Sequence, residues 1–258
     1  MKSQSIAALL AACASCAAPQ LTLVGHQGSF TPEGDISVDD TTTGATSANS
    51  VENFGLDDDA TTTGARLDLK FGSPHLTLST QSSSWDGSGT LNGEFGGLNG
   101  SLDVDSEFDL ALHRGLITFD LVPTDVVEFG LGFGVTVVDF DVTVTETEPI
   151  PIGDQTESIE ETLPVPLLAA RLGVRVWRFD VEALAAGLSV ETGGNEITYL
   201  ELYANAKFAF AGSHGGLCGA FVLGWRQDAL DVKYRDDTED VHLDLGFTGP
   251  YFGLLLGI

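Results

Sequence analysis

The stretch "DVVEFGLGFGVTV" (residues 125–137) contains the pattern that decides the fold. Apolar side chains occupy every second position from Val127 to Val137, and the positions between them hold Glu128, glycines and a threonine. This period of two predicts a β-strand with one apolar and one polar face. An amphipathic helix would instead repeat its apolar residues every three or four positions.

The same alternation recurs along most of the chain. In "GSLDVDSEFDLAL" (100–112), apolar residues share one face and carboxylates the other, and "TYLELYANAKFAF" (198–210) has the same period. Glycine, proline and aspartate clusters separate such stretches, as expected for turns. The pattern predicts nine strands, at about 62–71, 75–83, 101–121, 126–142, 163–177, 179–190, 197–210, 215–226 and 241–257.

The connections between these strands are of two alternating kinds. Four are tight, at 72–75, 122–125, 177–180 and 212–215. The others are mostly longer and polar or acidic, at 83–100, 143–161, 191–196 and 227–240. This sorting is typical of a bacterial transmembrane barrel, which has short periplasmic turns and longer outer loops. Because such barrels have an even number of strands, a tenth is expected at 20–30, running on to 34–39, with eight strands as the alternative.

Several strands change the phase of their alternation midway. The apolar set moves from odd to even positions at Val137-Val138, and similar changes occur at Leu167-Leu168, at Pro250-Tyr251 and around Arg114-Gly115. A β-bulge moves the alternation by one place and bends the strand. Since no turn residues stand at the first two positions, bulges are favoured there over pairs of short strands.

Composition and charge narrow the classes of function. The 258 residues carry a formal net charge of −27, which argues against binding the phosphate backbones of DNA or RNA. It also argues against attraction to anionic lipid headgroups. Hydrophobic residues make up 43 %, too many for a disordered acidic tail. No apolar run approaches the roughly 18 residues of a transmembrane helix.

The N-terminus, "SIAALLAACASCAAPQ" (5–20), is typical of an export signal. Lys2 precedes a short apolar stretch that is followed by small residues. Residues 10–13 resemble the bacterial lipobox, which implies lipidation of Cys13; simple cleavage and an uncleaved helix are the alternatives. We therefore expect a signal and lipobox segment at 1–16 and a single barrel domain at 17–258.

Over roughly residues 20–258, the chain resembles a small bacterial outer-membrane β-barrel of the broad class that includes OmpA-like and OmpW-like proteins. The closing stretch "DLGFTGPYFGLLLGI" (244–258) is similar to their apolar, aromatic-containing final strand. The resemblance implies an all-β fold: a single antiparallel up-and-down transmembrane β-barrel of about ten strands, with no significant helix beyond the signal. It also implies a location in the bacterial outer membrane, with membrane lipid and the barrel assembly machinery as partners.

The polar faces of these strands carry charges of both signs at matching distances from the tight turns. If the polar faces line the lumen, these charges form a ladder in which pairing offsets much of the cost of confinement. Its expected members are Arg66, Asp68, Lys70, Glu128, Arg171, Arg175, Glu182, Glu201, Lys207 and Asp244. We interpret the ladder as structural filler of a narrow lumen, with a selectivity path for a small solute as the alternative.

The sequence predicts a structural or surface-exposed barrel without enzymatic activity, cofactor or metal. A narrow channel for a small solute is a variant of this prediction. His113, and His242 with Asp244, keep a lipid- or peptide-hydrolysing barrel enzyme as an alternative, although no nucleophile signature accompanies them. A soluble lipocalin-like binder is the third functional class that the sequence leaves as an alternative. The acidic stretches 55–64 and 235–240 suggest a weaker hypothesis of divalent cations at the loops, but neither matches an EF-hand.

Overall fold

A computed structural model of the chain describes residues 19–40, 49–95, 98–124, 126–147, 155–192, 195–212, 217–235 and 239–258. The signal segment 1–16, with the predicted lipidation site Cys13, lies outside the described residues. Among those that are described, no helix is long and apolar enough to cross a membrane.

The described residues form one sheet and a single turn of 3-10 helix, Val51–Phe54. The strands are β1 Gln20–Asp40, β2 Asn49–Ser50, β3 Ala60–Lys70, β4 Pro74–Phe95, β5 Leu98–Pro123, β6 Val127–Glu146, β7 Thr156–Val176, β8 Phe179–Thr192, β9 Asn195–Gly212, β10 Cys218–Arg235 and β11 Glu239–Gly257.

The sheet closes into a barrel. From β3 to β11, each strand pairs antiparallel with the next, and β1 pairs with both β3 and β11. The two-residue β2 pairs only with β1, so ten strands form the ring. This confirms the predicted all-β up-and-down barrel, including the tenth strand at 20–30 and its continuation, and excludes the eight-strand alternative.

The two ends of the barrel differ. The end that we call the turn end has the tight β3–β4, β5–β6 and β7–β8 connections, together with Gln20 and Gly257. At the opposite, distal end, the predicted loop at 83–100 is wrong, because β4 runs to Phe95 and β5 begins at Leu98. Residues 148–154 of the predicted loop 143–161 lie outside the described residues. Ser84, Asp86, Ser88, Thr90 and Asn92 stand on the outer face of β4, where water solvates them as it would solvate a loop.

The predicted bulges at the phase changes are also wrong. The pairing of β6 with β5 and with β7 continues without a shift through Val137-Val138 and opposite Leu167-Leu168. The β10–β11 register is equally continuous at Pro250-Tyr251. In the described strands, register shifts lie elsewhere, between Asp120 and Val122 and between Gly219 and Ala220.

The phase changes mark a reversal of the environment on the two sides of the wall. Toward the turn end of β5, Ile117, Phe119 and Leu121 are exposed on the outer face. Toward the distal end of the same strand, Phe108 and Leu110 are buried inside, and the neighbouring carboxylates of Glu107 and Asp109 are exposed. Side chains keep alternating through the phase changes, and only the polarity of the two faces is exchanged.

An apolar belt therefore surrounds the outside of the turn half. Its members are exposed although they are large and hydrophobic. They include Leu23, Leu78, Ile117, Phe119, Leu131, Phe133, Val135, Leu168, Leu172, Phe221, Leu223, Trp225, Phe252, Leu254 and Leu256.

The distal half has its apolar residues inside, where they form a packed core. We call this cluster the distal core; it includes Phe30, Ile36, Val51, Phe54, Leu56, Trp85, Leu91, Phe108, Leu110, Val138, Phe140, Leu243, Leu245 and Phe247. The ring centroid of Trp85 lies 5.3 Å from those of both Phe108 and Phe247. The Trp85 indole N–H donates a hydrogen bond of 3.3 Å to the carbonyl oxygen of Phe30, so its polar atom is satisfied.

The segment 49–56 enters the barrel and completes the distal core. Its 3-10 helix ends at Gly55, whose φ of 69° is left-handed, and it packs against the inner face of β4. A Cβ atom on Gly87 would overlap the carbonyl oxygen of Gly55, and one on Gly89 would overlap that of Asn53. The two glycines of β4 thus provide the space in which the segment closes the distal lumen.

Candidate functional site

The lumen of the turn half is charged, and it contains most of the residues that the sequence placed in a ladder. Nine of them take part in ion pairs: Arg66, Asp68, Lys70, Glu128, Arg171, Arg175, Glu182, Glu201 and Lys207. The tenth, Asp244, is exposed on the outer face of β11, opposite Asp35 and Asp231 of the neighbouring strands. Its predicted inward orientation is wrong because Leu243 and Leu245 occupy the inward positions of the distal half.

One group of charges lies near the turn end. Lys70 Nζ lies 2.5 Å from a Glu128 carboxylate oxygen and 3.3 Å from Asp120. Arg171 contacts the same two carboxylates, at 2.5 Å to Asp120 and 3.2 Å to Glu128. Two cations and two anions thus alternate in space, and Asp120 at their centre is buried.

A second group lies beside it and joins strands from opposite sides of the ring. Arg66 of β3 lies 2.9 Å from Asp68 and 2.6 Å from Glu182 of β8. Glu182 also lies 2.6 Å from Lys207 Nζ and accepts a hydrogen bond of 2.5 Å from the Tyr203 hydroxyl. The contacts of Glu182 therefore tie β3, β8 and β9 together across the lumen.

The third group is the deepest. Glu201, which is completely buried, pairs with Arg114 and, at 3.4 Å, with Arg226. Arg226 also contacts Asp228 at 2.8 Å, and the Tyr199 hydroxyl donates a hydrogen bond of 2.7 Å to the same carboxylate. Removing one member of such a set would strand a buried charge.

The predicted ladder lacks four members of these groups: Arg114, Asp120, Arg226 and Asp228. Arg114 and Asp120 share the even, inward positions of β5 with Leu112, but an assumed bulge at 114–115 hid this parity. Arg226 and Asp228 fall at the boundary between a predicted strand and a predicted loop. In both places, the alternation of the strand assigns these side chains to the inner face.

One group of described residues has the composition of a metal site. His75, Asp120 and Glu128 bring three potential ligand atoms within 4.8 Å of one another. Both carboxylates, however, are already held by Lys70 and Arg171, so that a metal ion would have to displace a buried cation. Their chemistry gives no support for a resident metal.

The acidic stretches do not provide a better cation site. At 55–64, the carboxylates of Asp57, Asp58 and Asp59 are exposed, and none of them belongs to a three-ligand group among the residues that can be described. Part of 235–240 lies outside the described residues. The divalent-cation hypothesis thus stays a prediction without a defined geometry.

The histidines of the enzyme alternative stand on the outer face. His113 Nδ1 lies 2.9 Å from the Thr80 hydroxyl oxygen, but its Nε2 is 3.7 Å from Asp139, too far for a hydrogen bond. His242 Nε2 lies 3.4 Å from Asp231; the His242 side chain is exposed and that of Asp231 is half-buried. These are solvated cross-strand pairs, and neither geometry gives the hydroxyl–imidazole–carboxylate relay of a hydrolase.

A cavity of about 100 Å³ lies among the charges of the turn end, and we call it the vestibule. Its lining includes Arg66, Lys70, His75, Glu128, Arg171, Arg175, Arg178, Asp180, Glu182 and Lys207. A smaller cavity of about 40 Å³ shares Arg66 and Lys207 with it and reaches Arg114 and Glu201. The distal core lies further along the lumen.

No protein-family model matches the chain, and no curated protein is similar to it in sequence. Several solved structures are similar in shape at low identity. The translocator domain of autotransporter NalP from Neisseria meningitidis is 13 % identical, with a TM-score of 0.46 and coverage of 96 % of this chain and 92 % of that one. The outer membrane protein OprG from Pseudomonas aeruginosa is 9 % identical, with a TM-score of 0.39 and coverage of 94 % and 96 %.

A third solved structure is Ail, the attachment invasion locus protein of Yersinia pestis, in complex with the heparin analogue sucrose octasulfate. It is 13 % identical, with a TM-score of 0.35 and coverage of 94 % of this chain and 99 % of that one. The TM-scores are low, and the strand pairing of the chain itself establishes the barrel.

Proposed function

We propose that the chain is an integral β-barrel protein of the bacterial outer membrane and that its distal half stands outside the bilayer as a surface-exposed component. The apolar belt supports this proposal. On β6, the belt runs from Val127 to Val137, a length of eleven residues. A transmembrane β-strand needs about 9–11 residues, so the belt has the length required to cross a bilayer.

The belt also argues against the soluble lipocalin-like alternative. Phe133, Leu223 and Trp225 are each more than half exposed, and they belong to a belt that extends around the barrel. Soluble monomers rarely expose contiguous apolar patches of more than a few hundred Å². Only the distal half, which is polar outside and apolar inside, is built like a water-soluble barrel.

The filling of the lumen is the observation that supports a structural function. Ion pairs cross the turn half, the distal core fills the distal half, and the segment 49–56 packs within that core. A solute would have to pass both layers. We therefore infer a sealed, structural barrel and not a channel. The outward position of His113 and His242 supports the absence of enzymatic activity, and membrane lipid and the barrel assembly machinery are its proposed partners.

Planar-bilayer recordings test the sealed lumen. We expect the refolded protein to show no steady conductance, and we expect Lys207→Ala to stay closed as well, because the distal core is untouched by this change. A general porin provides the positive control. Steady porin-like current in the parent protein would overturn the proposal, and current in Lys207→Ala alone would show that the ion pairs form the only seal.

A further inference from the structure

The lining of the vestibule includes buried nitrogen atoms without a described hydrogen-bond partner. Arg171 is only 5 % exposed, and its Nε has no hydrogen-bond partner among the described residues, although both of its terminal nitrogens are ion-paired. The Nε of Arg175 and the Nε2 of His75 are likewise buried without a described partner. All three residues line the same cavity.

Arg175 and Arg178 also have capacity left for an anion. Arg175 reaches Asp180 only at 3.4 Å and Glu128 only at 3.9 Å. Arg178 follows it across the β7–β8 turn, and its guanidinium lies 5.5 Å from the centre of the exposed Trp177 ring. The strong short pairs of the vestibule are made by Lys70, Arg171 and Lys207 instead.

The charge balance of the lining favours an anion over a cation. Six basic residues line the cavity against four acidic ones, and Asp120 behind them is a fifth acid. Most of the 11 Lys and Arg residues of this chain, whose net charge is −27, thus line one cavity. A metal ion would add to this positive excess, whereas an oxyanion would accept hydrogen bonds from the guanidinium groups of Arg175 and Arg178.

We propose that the vestibule binds a phosphate-sized oxyanion through Arg175 and Arg178. The volume of about 100 Å³ has room for several water molecules, which is enough for a phosphate group. Guanidinium groups hold phosphate oxygens through parallel hydrogen bonds, which gives this class of anion an advantage over chloride. The proposal goes beyond the sealed barrel and does not depend on it.

Calorimetric titration of the refolded full chain in neutral detergent tests the site, with inorganic phosphate as the probe. We expect saturable binding that Arg175→Gln and Arg178→Gln each weaken about ten- to a hundredfold, because each removes a charge-assisted hydrogen bond. Lys233→Gln is the matched control: it removes an exposed basic residue near the distal end and should leave the affinity unchanged. A soluble short-chain phosphatidic acid, titrated separately, distinguishes a lipid headgroup from free phosphate as the source.

The outcomes are decisive in either direction. Heat without saturation in the parent protein, or equal phosphate affinity in the parent and both arginine variants, overturns the proposal and leaves water as the occupant. Acetate binding as tightly as phosphate overturns the choice of anion. If Arg175→Gln does not fold, Arg178→Gln decides, because the exposed Arg178 makes no described ion pair. Conductance reports separately on the sealed lumen.

Discussion

Phe108→Ala is expected to lower the free energy of unfolding by about 3–5 kcal/mol, the usual range for removing a buried aromatic side chain. Phe108 is 1 % exposed and stacks with Trp85 and Phe247 at centroid distances of 5.3 and 5.9 Å. The loss follows because the distal half has an apolar core, in contrast to a barrel with a polar lumen along its whole length. Chemical unfolding of the refolded protein in detergent or vesicles, followed by tryptophan fluorescence and circular dichroism, measures the change.

The neighbouring residue provides the control. Asp109 is exposed on the outer face, directly opposite Asp141 of β6. Like charges in this position repel, so Asp109→Ala should change the free energy of unfolding by no more than about 0.5 kcal/mol, or raise it slightly. Equal stability of Phe108→Ala and the parent would show that the distal lumen is not packed as described.

Glu201→Gln is expected to cost about 3–5 kcal/mol of stability, as when one partner of a buried ion pair is removed. The substitution keeps the shape of the side chain but removes the charge that Arg114 and Arg226 share. Both guanidinium groups are less than a tenth exposed, so water cannot replace the carboxylate at little cost. The same unfolding measurement applies, with electrophoretic mobility of unheated samples as a check on barrel formation.

Glu196→Gln, on the same strand, is the control for Glu201→Gln. Glu196 lies 3.4 Å from Lys233 in an exposed pair, and Asp231 together with Glu196 raises the pKa of Lys233. Because water screens an exposed pair, the variant should stay close to the parent in stability. If both glutamate variants lose the same small amount, the buried network does not brace the barrel.

The strands and their order could be predicted because the alternation in stretches such as 100–112 and 125–137 indicates a sheet with two different faces. The lengths of the strands could not. Ser88 and Asp105 are typical loop residues, yet they form a 2.6 Å hydrogen bond between two paired strands. A polar composition indicates that the residues contact water. Residues on an exposed sheet face contact water as residues of a loop do, so composition does not distinguish the two.

The candidate site could be predicted in part for the same reason. Lys70, Glu128 and Arg175 lie close to tight turns, so counting from the turns assigned their direction. Asp244 could not be assigned in this way, because a single polarity was assumed for the whole lumen. A phase change has two physical causes: an extra residue in the strand, or a change of the medium that surrounds the strand. The sequence around Val137-Val138 is the one expected from either cause. Strand pairing distinguishes them.

The reversal of the two faces is tested most directly by the three tryptophans, measured one at a time in variants that have phenylalanine at the other two positions. In vesicles with brominated acyl chains, Trp225, which is 54 % exposed in the belt, should be strongly quenched. Trp177, at the turn end and 76 % exposed, should be quenched by lipids brominated near the headgroup. Trp85, 3 % exposed in the distal core, should resist both brominated lipid and aqueous acrylamide. Quenching of Trp85 by either agent, or of Trp225 by acrylamide but not by brominated lipid, would contradict a barrel that faces lipid with one half and encloses its core in the other.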